Sequence, residues 1–154
     1  MSNLFIFTND LRLDDNAALY HSSLTKKGLT AAFIFNPKKW KDHHDSPLKI
    51  KFQLNHLKEI RDELIKKNIN FKIIHADGIM DEPKKILELA KKLEIKSVYA
   101  NKDYGFNERK KDDSLKSLFD KENMKFNLFD SSILNPESIK TGSGNYFKVF
   151  TPYS

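Results

Sequence analysis

Two unbroken apolar runs constrain the fold most: Leu4, Phe5, Ile6 and Phe7, then Ala31, Ala32, Phe33, Ile34 and Phe35. A strand with one wet face alternates apolar and polar residues, whereas an unbroken run reads as a strand covered on both faces. Between the two, Ala17, Ala18, Leu19 and Leu24 carry helical spacing, with Asp15 or Asn16 placed to cap and Gly28 to end the helix. A buried strand, a helix and a second buried strand make a parallel βαβ unit.

The alternation continues along the chain. Asn36 and Pro37 break the second run, and a polar loop is expected over 38–45. Ser46 followed by Pro47 is a strong helix start, and Ile50, Leu54, Leu57, Arg61 and Leu64 mark one helical face behind it. Residues 70–74 read as a third strand. Residues 81–93 read as a helix with Ile86, Leu89, Ala90 and Leu93 inward, and 97–101 as a fourth strand. A helix over about 107–121 buries Leu115, Leu118 and Phe119, and 125–129 makes a fifth strand. The fold class is therefore α/β, a Rossmann-like, doubly wound, five-stranded parallel sheet in strand order 3-2-1-4-5. Ligands of such sheets sit beyond the carboxyl ends of the strands, so the turns after them are where chemistry is sought.

Length and composition narrow the function classes. The chain has 154 residues, the size of one domain, and no apolar run approaches the roughly 18 residues that span a bilayer. No membrane insertion is implied. Zero cysteines exclude disulfides, thiolate metal sites and cysteine nucleophiles, and make a cytoplasmic location the default. The net charge of +6 would suit a polyanionic partner, but among the basic residues only Arg12, Arg61 and Arg109 are arginines, the side chain best shaped for bidentate phosphate recognition. No Gly-x-Ser-x-Gly elbow occurs, which speaks against hydrolysis.

The first glycine is Gly28, so the turn after the first strand carries no glycine-rich phosphate cradle for NAD, FAD or ATP. That turn instead holds Thr8, Asn9, Asp10, Arg12, Asp14, Asp15 and Asn16, read either as a rigid loop pinned by an Asp10–Arg12 network or as a ligand loop. His43 and His44 lack metal-ligand spacing, so the expectation is no metal; His43 lines an organic ligand or belongs to a solvated loop. His21, His56 and His75 are isolated and read as surface or packing residues. Asn107 and Glu108 follow the fourth strand. A carboxylate there is able to accept two parallel hydrogen bonds from an amino-pyrimidine edge of a pterin or purine; the competing reading makes Asn107 a helix N-cap and Glu108 a partner of the helix dipole.

Four segments in order resemble landmarks of the DNA photolyase and cryptochrome family. They are Phe7-Thr8-Asn9-Asp10-Leu11-Arg12-Leu13-Asp14-Asp15-Asn16-Ala17-Ala18-Leu19, then Ser46-Pro47 with Phe52 and Leu57, then Tyr99-Ala100-Asn101-Lys102-Asp103-Tyr104-Gly105-Phe106-Asn107-Glu108-Arg109 with Asp112. The fourth is Gly144-Asn145-Tyr146-Phe147-Lys148-Val149-Phe150-Thr151-Pro152-Tyr153. The match covers essentially the whole chain. It departs from the family at Ile6, Thr8 and Asp14, where members commonly carry Trp, Arg and His.

The resemblance implies the N-terminal domain of a class I cyclobutane pyrimidine dimer photolyase, with residues 1–130 as the antenna domain and 131–154 as the start of the connector. In that family the domain binds a light-harvesting antenna, methenyltetrahydrofolate or a deazaflavin. The antenna passes excitation energy to a reduced FAD in a separate helical domain, and the flavin donates an electron to the pyrimidine dimer in damaged DNA. By position, Asn107 and Glu108 match residues that hydrogen-bond the folate pterin, and His43 matches an antenna-lining histidine. The FAD-binding helical domain is not in this sequence, so the chain alone is expected not to repair DNA, and Tyr146, Phe147, Val149, Phe150 and Tyr153 are expected to form an exposed apolar face. Two other readings stand beside this one. One is a cryptochrome-like blue-light receptor domain; the other is an adenine-nucleotide-binding module of the electron-transfer-flavoprotein or stress-protein type, against which the missing glycine-rich loop argues.

Overall fold

A computed structural model describes residues 2–25, 28–131 and 140–146 of the chain. The strands are β1 (Asn3–Phe7), β2 (Leu29–Phe35), β3 (Asn70–His75), β4 (Ser97–Asn101) and β5 (Lys125–Phe129). The helices are α1 (Ala17–Ser23), α2 (Pro37–Asp42), α3 (Pro47–Lys66), α4 (Glu82–Lys92) and α5 (Phe106–Lys121). All strand pairs are parallel and the order is β3-β2-β1-β4-β5, as the alternation of the sequence predicts.

The parity of side chains along each strand divides the core in two. Leu4 and Ile6 of β1, with Ala32, Ile74, Val98 and Ala100, pack beneath Ile86 and Ala90 of α4 and Leu115 and Phe119 of α5. Phe5 and Phe7, with Ala31 and Phe33, pack on the other face beneath Ala18 and Leu19 of α1 and Leu57, Ile60 and Leu64 of α3. Every residue of β1 is buried, which is why its sequence shows no polar alternation. On α3 Leu57 and Leu64 are buried as expected, while Ile60 takes the buried position expected of Arg61, which is exposed. Leu24 lies beyond the end of α1 and is exposed. Tyr146 is exposed as expected, while Phe147, Val149, Phe150 and Tyr153 lie outside the described residues.

The chain leaves β1 toward α1 on one face and leaves β4 toward α5 on the other, so their following loops diverge and open the carboxyl edge of the sheet. Asn101, the last residue of β4 and 1% exposed, sutures this opening. Its Nδ2 donates to Asn16 Oδ1 at 2.8 Å and to Asp10 Oδ2, and its Oδ1 accepts from the Ala18 N–H at 3.0 Å. Asp10 Oδ1 accepts from both the N–H and the hydroxyl of Thr8, at 2.9 and 3.0 Å. Asn16 caps α1 through the Leu19 N–H at 3.1 Å. The loop is thus pinned by Asp10 with Asn16 and Asn101; the Arg12 guanidinium turns away to the carbonyls of Asp15 and Ser131, which corrects the Asp10–Arg12 network. Replacing Asn101 with Ala strands its partners in the loop after β1 and at the start of α1. A loss of about 2–4 kcal/mol is expected in urea unfolding, against a change below about 0.5 kcal/mol for exposed Asn55→Ala.

Candidate functional site

The segment after β2 repeats the signal that starts α3: Asn36-Pro37 is an N-cap followed by Pro, like Ser46-Pro47. It opens with the six-residue helix α2 where a polar loop over 38–45 was expected. Asn36 is 1% exposed and uses its whole amide. Oδ1 accepts from the N–H groups of Lys39 and Gly78, both at 3.0 Å, and Nδ2 donates to Glu82 Oε1 at 2.8 Å. One side chain therefore fixes α2 against the turn leading into α4. The His43 N–H donates to the Lys39 carbonyl at 3.0 Å, which sets Lys39 and His43 one helical turn apart on one face.

Opposite them, α5 begins at Phe106 with Gly105 as its N-cap, so Asn107 is not the cap but the exposed second residue of the helix. Glu108 follows in the first turn, buried, with its carboxylate folded back over Gly105. The φ of Gly105 is −62°, which any residue adopts; a Cβ there would overlap the Glu108 carboxylate, so the glycine lets that carboxylate lie where it does. Lys39 Nζ lies 3.3 Å from Glu108 Oε1. Burial raises the pKa of Glu108, but the hydrogen bond from its own backbone N–H and the charges of Lys39 and His43 outweigh it. The carboxyl is held below the ordinary glutamate value.

The structure thus brings His43 and Glu108 to one place and puts Asn107 beside Glu108 on the solvent side. Lys39 is the member that sequence reasoning missed. Its only sequence signal is the Asn36-Pro37 cap, which sets residues 39 and 43 at the i, i+4 spacing. Of the other histidines, His21 stacks on Phe129 with ring centroids 4.4 Å apart, and His56 Nε2 lies 2.8 Å from the Leu11 carbonyl. Both are packing residues, as expected.

Inward of Lys39 lies a small cavity of about 50 Å³, lined among others by Thr8, Asn36, Gln53, Glu82, Asp103 and Lys111. Two of these lining residues carry a buried oxygen, Gln53 Oε1 and Asp103 Oδ2, that accepts no hydrogen bond among the described residues. Asp103 also accepts from Asn9 Nδ2 at 3.1 Å, tying the β1 and β4 loops together. Burial raises the Asp103 carboxyl against the opposing pull of Lys111 and the Asn9 hydrogen bond. Lys111 is buried 3.6 Å from Asp112, whose carboxyl is pushed up to about 6, by burial first and by Asp103, with Lys111 resisting. A larger cleft of about 970 Å³ lies between α1 and the end of α3, lined by Arg12, Asp14, Asp15 and Asn16 of the turn after β1 and by Tyr20, His21 and Lys67, and does not include His43, Asn107 or Glu108.

Comparison with known proteins gives this edge a context. The family model described as DNA photolyase matches residues 3–154. The deoxyribodipyrimidine photo-lyase of Vibrio cholerae is 30% identical over 148 residues, covering 96% of this chain and 32% of that protein. That of Buchnera aphidicola from Baizongia pistaciae is 32% identical over 151 residues, covering 97% and 32%. The cryptochrome of Synechocystis shares the fold, with a TM-score of 0.81 at 19% identity over 99% of this chain and 32% of that one. The chain spans about a third of the length of the relatives it matches.

The Asp112 carboxyl carries a pH signature. Its folded pKa of about 6 is raised from the ordinary 3.8, so the folded state binds its proton more tightly than the unfolded state does. The stability this contributes is present below about pH 4 and lost as pH rises through about 6, a swing of at most about 3 kcal/mol. Denaturant unfolding from pH 4 to 7 is expected to show that slope, and Asp112→Asn to flatten it. A slope unchanged in the variant would assign it to other groups.

Proposed function

The chain belongs to the DNA photolyase family, and from that premise we propose that it is the antenna-binding α/β domain of a deoxyribodipyrimidine photolyase, taking methenyltetrahydrofolate at Glu108. In this reading residues 1–130 form the antenna domain and 131–154 begin the connector to an FAD-binding helical domain. The whole protein is a cytoplasmic enzyme that repairs pyrimidine dimers in damaged DNA. When bound, the antenna absorbs near-ultraviolet light and passes the excitation to reduced FAD.

The single observation that carries the proposal is the Glu108 carboxylate itself: buried, held ionised, and placed at the carboxyl edge of the sheet beside the opening between β1 and β4. A carboxylate is an acceptor only, and its two oxygens match the paired N–H donors of an amino-pyrimidine ring. The donor set fits the group. Asn107 offers a donor and an acceptor at the rim, and His43 presents an imidazole from the end of α2. No helix among the described residues is long and apolar enough to cross a membrane.

Two features weigh against the other readings. The turn after β1 contains no glycine between Thr8 and Asn16 and is cross-linked by Asp10, which leaves a nucleotide pyrophosphate no backbone cradle. The photolyases of Vibrio cholerae and Buchnera aphidicola match 96% and 97% of the chain, whereas the Cryptochrome DASH of Idiomarina loihiensis, also 32% identical, matches 69% of it, and this fuller match favours a repair enzyme over a cryptochrome-like receptor.

Titration of the purified chain with methenyltetrahydrofolate, followed by near-ultraviolet absorbance and fluorescence, tests the proposal. Saturable binding is expected, weakened by about 10-fold to 100-fold in Glu108→Ala, the size of a lost charge-assisted hydrogen-bond pair. Equal affinity in the variant would remove Glu108 from the site. Saturable binding of a deazaflavin in place of the folate would change the chromophore and leave the antenna role standing.

A further inference from the structure

An amino-pyrimidine edge needs both oxygens of its carboxylate partner turned toward it. Both oxygens of Glu108 are engaged within the chain. Oε1 faces the Lys39 ammonium at 3.3 Å, and Oε2 is pressed over Gly105, where even a methyl group would overlap it. The lysine is not a loose surface cation. Its side chain is 17% exposed, and its backbone N–H is held by buried Asn36.

A ligand that takes Glu108 must therefore displace this ammonium, and a cation driven from its partner into a partly buried site is costly unless it finds other acceptors. The structure supplies them. Lys39 itself lines the cavity of about 50 Å³ together with Gln53 and Asp103, whose buried Oε1 and Oδ2 are without a donor among the described residues. An ammonium is about the size of a water molecule and has three donors, and the cavity exceeds the volume that one water requires. Asp103 already feels the Lys39 charge.

We propose that Lys39 is the gate and selectivity residue of this site: its ammonium holds the Glu108 anchor and swings inward onto Asp103 and Gln53 when a ligand takes the carboxylate. This rests on the antenna reading of Glu108. The gate sets the chemical class of what enters. A ring bearing two adjacent N–H donors replaces the ammonium's contact with a pair of hydrogen bonds, whereas an anion, or a ring with acceptors on that edge, gains nothing from displacing it.

The test is a double-mutant cycle on the chain, with methenyltetrahydrofolate as the probe and thermal melts confirming that each variant folds. Lys39→Gln is expected to bind about five- to tenfold tighter than the parent, because the closed state no longer competes. Asp103→Asn is expected to bind about three- to fivefold more weakly. The double variant is expected to match Lys39→Gln, since Asp103 acts only through the lysine. Equal or weaker binding by Lys39→Gln overturns the gate while leaving the antenna reading intact. An undiminished Asp103→Asn effect in the Lys39→Gln background overturns the inward swing. Absence of binding in every variant overturns the antenna reading and the gate with it.

Discussion

Two buried asparagine amides, Asn36 after β2 and Asn101 at the end of β4, hold the carboxyl edge of the sheet in shape, and the rest of the site depends on them. A doubly wound sheet sends neighbouring loops to opposite faces, which leaves backbone N–H and carbonyl groups at the strand ends without ladder partners. An amide answers this with donor and acceptor on one short side chain. Asn101 joins the loop after β1 to the start of α1, and Asn36 joins α2 to the turn before α4. Between these two sutures the edge is rigid, and Lys39, His43 and Glu108 inherit their positions from it.

The electrostatics of the edge follow from burial more than from net charge. The chain carries +6, yet Lys39 faces Glu108 and Lys111 lies within the field of Asp103 and Asp112. These lysines serve to keep carboxylates ionised in places that would otherwise protonate them. Glu108 is held low by its own N–H and by Lys39 and His43, while at Asp103 and Asp112 burial, joined by neighbouring carboxylates, outweighs the cations and pushes them up. Neighbouring carboxyls are thus driven in opposite directions along one edge of the sheet.

Much of the fold was legible because burial on both faces leaves an unmistakable pattern: β1 has no polar residue between Leu4 and Phe7 since neither face sees water. What escaped the sequence had weak or misleading local signals. Helix α2 buries no residue, so its lysine-rich run carries no apolar periodicity, and only the Asn36-Pro37 cap announces it. At α5 the usual preference for asparagine at an N-cap pointed to Asn107, but the helix starts at Gly105, whose missing side chain makes room for Glu108. Glu108 and His43 were reachable from residue chemistry and family resemblance. The Lys39–Glu108 pair was not, because it joins residues 69 positions apart through contacts that only the folded sheet creates.

The measurement that bears most directly on the account is the location of the chromophore on the chain. Backbone amide NMR shifts followed while methenyltetrahydrofolate is added should move first and furthest at the end of α2 and the start of α5, around Lys39, His43, Asn107 and Glu108. Shifts centred instead on the cleft between α1 and α3, around Tyr20, His21 and Lys67, would contradict it.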